Sequence, residues 1–566
     1  MSRLRISLVT TAVLAAAVVT LVTFTLPPRA RPEPPAAWSP AHVVVRGAYH
    51  IHTRRSDGSG TIDQVAAAAA RAGLQFIIIT DHGGGTRLDP PSYRSGVLCL
   101  DNNEISTNGG HYVALGMHDA PYPLGGDPRD VVADVARLGG FGIVAHPYSV
   151  KPQLQWHAWD LPFDGIEWMN ADSERRQRGA GQLLAALAHY PFRPAETIAS
   201  IFTRPVRSLA RWDQLTGQRR IVGLAAADAH ARIGFGGDPQ TDGTLFRLPG
   251  YQATFEAFSI HAELGHPLSG QAGPDARVVL AAIEAGHVYS SIEGLAAPAV
   301  FQFTGRSGSQ TADEGDVLPL DGPVELRAQV NAPSATLVLF SQGRPMARGT
   351  GGDVTFHVPA ERGTYRVEVW LDDPPGRLPM PWIVSNPIYV GGLPPAPPPP
   401  APLPVTATAS LMPASGTTGW RVERDTTSMA VLQRSSDTAA GPGALEMRFT
   451  LGGTGKGGQY VAAAHDLGRE AAFYDRLAFQ ATASRPLRAS LQLRDAAGRR
   501  WERSVYLDTA RRTVVVPFTD FRPFDPDQTP APDLAQVRSL LLVVDTTNAR
   551  GGLSATIDLS DVRLER

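Results

Sequence analysis

The chain has 566 residues, 43% hydrophobic and 19% charged, with a formal net charge of -2. That length exceeds one compact core and suits three or four domains, and the composition excludes both a disordered tail and a multi-span membrane protein. The near-neutral balance supplies no overall field for nucleic acid, and the single cysteine, Cys99, excludes an intrachain disulfide framework or a multi-cysteine metal site. Any bound metal must therefore be held by histidine and carboxylate.

The first element is an uncharged run, Ile6–Leu26, preceded by Arg3 and Arg5. Its length is about the ~20 residues that cross a bilayer as a helix, and the basic start equally fits a secretory signal. Residues 1–26 are thus read as a signal peptide or N-terminal membrane anchor, and 27–42 as a Pro-rich linker. The expected location is periplasmic or extracellular, with the membrane as a partner if the segment is not cleaved.

From 43 to 298, short apolar runs alternate with helical stretches, the pattern of repeated β–α units. The runs are Val43–Val45, Phe76–Ile79, Val97–Leu100, Gly142–Ala145, Gly165–Trp168 and Ile221–Ala225. Thr61 with Gln64 predicts a capping box for a helix that stops at Gly73, and Asp127-Pro128 predicts a second helix start. Such alternation over about 250 residues is the size of one barrel-like α/β domain.

Beyond Pro298 the texture turns to alternating strands with Gly, Pro and Asp turns. Residues 299–392 are read as a small β-sandwich. In 393–404, eight of twelve residues are proline, a semi-rigid spacer of roughly 3.1 Å per residue. Residues 405–566 are again strand-rich, with runs at Ala444–Phe449, Arg476–Thr482, Leu487–Arg494, Arg512–Phe518, Ser539–Asp545 and Ala555–Leu559, and predict a larger β-sandwich or jelly roll.

Ligand-type residues stand just beyond successive predicted strands. His50 and His52 follow the first, spaced to leave one face of an extended chain, with Asp57 behind them. Asp81 and His82 follow the second. Glu104 comes after Val97–Leu100, His111 opens the next run, His146 follows Ala145, and Asp228 with His230 follow Ile221–Ala227. In α/β barrels these ends share one face, so six imidazoles and three carboxylates can converge as a site for zinc, manganese or iron. Nine ligands exceed one coordination sphere and predict two or three divalent ions with bridging groups.

This ordered set, Tyr49-His-Ile-His-Thr with Ser56-Asp-Gly, Ile79-Thr-Asp-His, Asn103-Glu-Ile-Ser with Gly110-His, Val144-Ala-His-Pro and Ala227-Asp-Ala-His, resembles the PHP (polymerase and histidinol phosphatase) family of metal-dependent hydrolases. The resemblance implies a distorted seven-stranded β/α barrel for residues 43–298 and a di- or trinuclear centre. By motif its ligands are His50, His52, Asp57, His82, Glu104, His111, His146, Asp228 and His230. Trp382-Ile-Val-Ser-Asn-Pro extends the likeness to the exported carbaryl-hydrolase-like branch, which cleaves a carbamate ester. The last domain is similar to galactose-binding-like jelly rolls through Asp475-Arg-Leu-Ala-Phe and Asp558-Leu-Ser-Asp-Val, which implies a possible glycan partner.

A water on such a centre ionises near neutral pH, and the hydroxide attacks phosphorus or carbonyl carbon. Three divalent ions against three carboxylates leave about three positive charges, which favours an anionic phosphate ester over a neutral one. The expected activity is therefore an exported metal-dependent ester hydrolase, with phosphoesterase favoured. The alternatives are a carbamate or carboxylic ester hydrolase of the same fold, and a glycan-binding envelope protein with a structural metal centre. Lys151 and Asn170 are candidate substrate contacts; Glu167 is expected to line the pocket, and Asp81 to orient its neighbours. A nuclease role is disfavoured, since no polymerase chain accompanies the domain.

Overall fold

The computed structural model describes residues 23–232, 248–372, 379–395, 401, 404–436, 443–453, 458–525 and 528–566. Most of the apolar run Ile6–Leu26 and most of the proline-rich spacer lie outside them. Among the described residues no helix is long and apolar enough to cross a membrane. The chain divides into two compact units: one holds the barrel and the strands as far as Val390, the other the C-terminal sandwich with the short stretches 84–87 and 119–130.

Seven strands form the barrel: β1 (Val43–Ile51), β2 (Phe76–His82), β3 (Val97–Thr107), β4 (Gly110–Leu115), β5 (Phe141–Val144), β6 (Gly165–Asn170) and β7 (Val222–Ala226). They pair in sequence order, all parallel except β4, which runs against both neighbours. The ring closes where Ala227 N donates to Tyr49 O at 2.9 Å and His52 N to Ala229 O at 3.1 Å. One buried apolar cluster takes side chains from six of the seven strands, including Tyr49, Ile78, Leu100, Val113, Ile143 and Leu224. Burial of such a filled interior is the main stabilising contribution to a barrel.

Helix α1 (Ile62–Arg71) starts where the sequence predicts, with the Thr61–Gln64 capping box formed in both directions. Helix α2 (Pro128–Arg137) begins with proline at its first position, where the absent N–H costs no bond. Helix α3 (Val206–Thr216) precedes β7. Helix α4 (Ala272–Ala285) joins the barrel's apolar cluster through Ala276, Val279, Ala282 and Ile283.

The sheet does not stop at Pro298. Strands β8 (Ser259–Leu264) and β9 (Val288–Ser291) extend it antiparallel from β1. A four-stranded sheet containing β10 (Phe301–Ser307), β11 (Val324–Val330) and β13 (Asp353–Val358) makes one layer of the small sandwich. In the other, β12 (Thr336–Ser341) pairs with β14 (Gly363–Trp370), which pairs with β15 (Ile383–Val384), and β15 bonds to β9. The Trp382–Pro387 motif closes this seam. The Asn386 amide donates to Val288 O at 2.6 Å and Gly223 O at 3.1 Å and accepts from Gly223 N at 2.8 Å.

The C-terminal unit is a sandwich of two six-stranded antiparallel sheets. Its core holds Leu477, Phe479, Leu491, Leu493, Trp501, Leu540 and Leu542. Strands at Leu445–Thr450, Arg476–Ala483, Leu487–Asp495, Arg512–Pro517, Val537–Asp545 and Ser554–Glu565 lie on predicted runs. Trp420–Arg424, Met429–Arg434, Tyr460–Asp466 and Arg500–Leu507 are additional.

Candidate metal centre

The C-terminal ends of the six co-directional strands open at one end of the barrel. The antiparallel β4 contributes its N-terminus there, where His111, paired with Ser106, brings its side chain within reach of Glu104 of β3. The tight β3–β4 turn depends on Gly110, whose φ is +110° and where a Cβ would meet Gln155 O at 2.6 Å. Glycine alone fits that position.

All nine residues marked by the sequence come together. His50, His52 and Glu104 are fully buried, His146 and Asp228 nearly so, and Asp57, His82, His111 and His230 half-buried. Glu104 is the hub. Its Oε1 lies 2.7 Å from His111 Nδ1 and 2.8 Å from His146 Nε2, while its Oε2 lies 3.2 Å from His50 Nε2 and 3.3 Å from both His52 Nε2 and His82 Nδ1. Asp228 Oδ1 is 3.5 Å from His50 Nε2 and 3.3 Å from His52 Nε2. Asp57 Oδ2 is 3.1 Å from His230 Nε2 and 3.8 Å from His82 Nε2.

These atoms fall into three overlapping groups whose possible ligand atoms lie within 4.8 Å of one another: His52, Asp57, His82 and His230; His50, His52 and Asp228; and His82, Glu104 and His111. His52 and His82 each belong to two groups, the arrangement expected where neighbouring ions share a site.

The backbone is strained where it delivers these ligands. His50, His146 and Asp228 have φ of 65°, 27° and 44°, left-handed values that cost a non-glycine residue about 1–3 kcal/mol each. At His50 the strand bulges, shifting the β1–β2 register between Tyr49 and Ile51. The His50 and His52 imidazoles therefore converge through a bulge at the end of β1, and simple strand alternation does not describe them.

Electrostatics in the pocket call for positive charge. Although burial lowers it, hydrogen bonds to Asp228 and Glu104 push His52 up to about 10. Burial opposes the rise at His50 too, yet Glu167, Asp228 and Glu104 raise it. Burial raises the Glu104 and Asp228 carboxyls, but His50 and neighbouring imidazoles hold both well below the usual carboxylate range. His50 Nε2 and His52 Nε2 are 3.2 Å apart beside two carboxylate oxygens, and among the described residues buried His82 Nδ1 has no hydrogen-bond partner. Lone pairs crowded in this way suit divalent cations, so the residues fit the metal centre that the PHP-like pattern implies.

A surrounding set of residues fixes the ligands. Glu167 Oε1 accepts from His50 Nδ1 at 2.5 Å, and its Oε2 accepts from His146 N at 2.7 Å and Asn170 Nδ2 at 2.8 Å. A proton on Nδ1 leaves the His50 Nε2 lone pair free for a metal. Asn170 also caps the following helical turn, with Oδ1 accepting from Ser173 N at 2.9 Å. Asp81 accepts from Thr53 N at 2.7 Å, Thr53 Oγ1 and Ser56 Oγ at 2.6 Å and Arg55 Nε at 3.1 Å. It thereby braces the loop that carries Asp57. Lys151 is exposed on the loop beyond His146 and lies outside the groove described below. From the sequence Glu167 is only a wall of the pocket; a carboxylate inside the apolar run of β6, three residues before Asn170, is the available signal.

No family model matches the chain, and no curated protein matches it. Solved structures do match. A two-domain protein from Bacteroides vulgatus, described as containing a predicted PHP-like metal-dependent phosphoesterase, is 14% identical; the match covers 62% of this chain and 99% of that one, with a TM-score of 0.28. The family 11 carbohydrate-binding module of a cellulosomal cellulase from Clostridium thermocellum is 16% identical over 28% of this chain and 94% of that one, with a TM-score of 0.23. Likenesses of this size leave the site's own geometry to carry its chemistry.

Proposed function

We propose that the protein is an exported metal-dependent hydrolase of ester bonds, a phosphoesterase in preference to a carbamate or carboxylic esterase. The observation that carries this reading is Glu104, a buried carboxylate whose two oxygens face five imidazoles within 3.3 Å. His50, His52, Asp57, His82, Glu104, His111, His146, Asp228 and His230 would hold two or three zinc, manganese or iron ions. Bound there, the ions would supply Lewis acidity and an ionised water at neutral pH. Glu167 keeps the His50 proton on Nδ1, and Asp81 holds the Asp57 loop in place. The barrel interior below the cluster is apolar and buried.

The test is metal analysis of the purified chain, followed by assays with nitrophenyl phosphates and a naphthyl carbamate on one metal-loaded sample. At least two transition-metal equivalents with phosphate ester turnover are expected. Less than one equivalent with no activity after manganese or zinc is added rejects the enzyme, and turnover of the carbamate alone rejects the phosphatase. Export rests on Ile6–Leu26 and is checked by fractionation and N-terminal sequencing of the mature chain.

The C-terminal sandwich supports a separate reading as a glycan contact. An open depression of about 430 Å³ lies on one sheet face, lined by Arg448, Thr450, Ser554 and Thr556 beside exposed Met429 and Val431. Hydroxyls and a guanidinium around apolar surface suit sugar hydroxyls and ring faces. Retardation of the whole protein in polysaccharide gels, lost in Arg448→Ala, is the expected result; equal mobility with and without polysaccharide rejects it.

A further inference from the structure

A groove of about 380 Å³ adjoins the metal cluster, with His146, Glu167 and Asn170 in its lining together with Tyr148, Arg204 and Arg207. That volume lies in the range of small-molecule sites, about 300–1,000 Å³. Its charges are nearly all balanced. Glu167 is engaged by His50, Glu174 pairs with Arg178 at 2.7 Å, and Arg204 pairs with Glu368 at 2.9 and 2.6 Å. Arg207, exposed on the first turn of α3, is the exception: among the described residues no carboxylate pairs with it.

Its guanidinium is nonetheless held in place. It lies over the Tyr148 ring at 4.4 Å; Tyr148 stacks on Trp159 with centroids 5.7 Å apart and planes 26° apart, and Arg211 covers Trp159 at 4.8 Å. An arginine fixed by its face keeps its N–H edge available for two parallel bonds to an oxyanion. The adjoining metal cluster already accounts for one anion, the reacting phosphate, so Arg207 is set to read another.

We propose that this groove is the leaving-group subsite and that Arg207 selects esters whose organic group carries a second oxyanion. The proposal rests on the phosphoesterase reading above and gives it a substrate class.

The test compares phenyl phosphate, 4-carboxyphenyl phosphate and benzene-1,4-diyl bisphosphate on metal-loaded wild type, Arg207→Gln and Arg207→Lys. The wild type is expected to favour at least one doubly anionic ester about tenfold in kcat/KM, mainly through KM, as one added charge-assisted contact would give. Arg207→Gln brings the ratio to about one, and Arg207→Lys, which keeps charge without the fork, falls between. Preference for the carboxylate or for the bisphosphate identifies the second anion. A wild-type ratio near one, or the same ratio in Arg207→Gln, overturns the proposal. If wild type hydrolyses none of the three, the phosphoesterase reading fails, and calorimetric binding of the same esters decides the groove. Tighter binding of a doubly anionic ester that depends on Arg207 supports the subsite, and equal binding rejects it.

Discussion

Replacing Glu167 by glutamine tests the metal-centre argument at one atom. Both Glu167 oxygens are committed, Oε1 to His50 Nδ1 and Oε2 to His146 N and Asn170 Nδ2. A glutamine must turn its NH2 toward one side. Facing His146 N and Asn170 it meets two donors; facing His50 it meets one nitrogen, whose proton can move. The second arrangement costs less and shifts the His50 proton from Nδ1 to Nε2, the nitrogen aimed at Glu104 and Asp228. A protonated Nε2 cannot ligate. Loss of such a partner weakens metal binding about 10- to 100-fold, roughly 1.4–2.7 kcal/mol. Competition with a chromophoric chelator should show this loss with an unchanged far-ultraviolet spectrum, and nitrogen-15 spectra of the metal-free histidines, taken at a pH where His50 is neutral, should report the tautomer. A Glu167→Gln protein that binds metal within twofold of wild type, with His50 still protonated on Nδ1, would refute the reasoning.

Asp81→Ala frees the 53–57 loop and leaves buried donors such as Thr53 N without a partner, a cost of about 1–3 kcal/mol; one metal equivalent, that of the Asp57 group, should be missing by elemental analysis, and a full complement would count against the bracing role. Chelation should lower the melting temperature of the transition that includes the barrel, since metal at a hundredfold excess over Kd stabilises by about 2.7 kcal/mol; an unmoved transition rejects a structural contribution from metal. Glu263, buried in β8, is pushed up to about 7 by burial and by Asp313 and Asp316, against His42. A raised folded value means stability is fully present below the ordinary value near 4.5 and is lost as pH rises through 7, by up to about 3 kcal/mol. Glu263→Gln should flatten that slope between pH 5 and 8 in denaturant titrations, and identical slopes in the two proteins would contradict it.

Much of the barrel was legible because its determinants are local. Thr61 and Gln64 satisfy each other's backbone within one turn, and the runs at Phe76 and Gly142 are apolar because both of their faces are covered. The polar half of β3, Asp101–Glu104, was not read as strand, since hydropathy does not register residues whose partners are ligands and neighbouring strands. Nothing in the letters signals a left-handed backbone at His50, His146 or Asp228, none of which is glycine. The seam through Asn386 escaped for a different reason: a change of texture at Pro298 reports local turn chemistry, whereas β9 and β15 are far apart in the chain, Ser291 pairing with Ile383. In the C-terminal sandwich, Met429–Arg434 was missed because its outward residues are exposed and its alternation is shallow.

The energetic balance of the pocket makes the functional argument independent of resemblance. Three left-handed ligand positions cost about 1–3 kcal/mol each, and placing Glu104, Asp228 and Glu167 in a buried cavity adds a desolvation cost that imidazoles offset only when they are protonated. A barrel selected for stability alone would fill this end with aliphatic side chains, as it fills the interior below with Tyr49, Ile78 and Leu224. Protons on His50 and His52 can neutralise the cluster, but they place like charges on nitrogens 3.2 Å apart. Divalent cations remove that repulsion and satisfy His82 Nδ1 in one step. Of the occupants this chemistry allows, metal ions would offset the most of the buried charge, and such ions would create the surplus positive field that the proposed anionic ester requires.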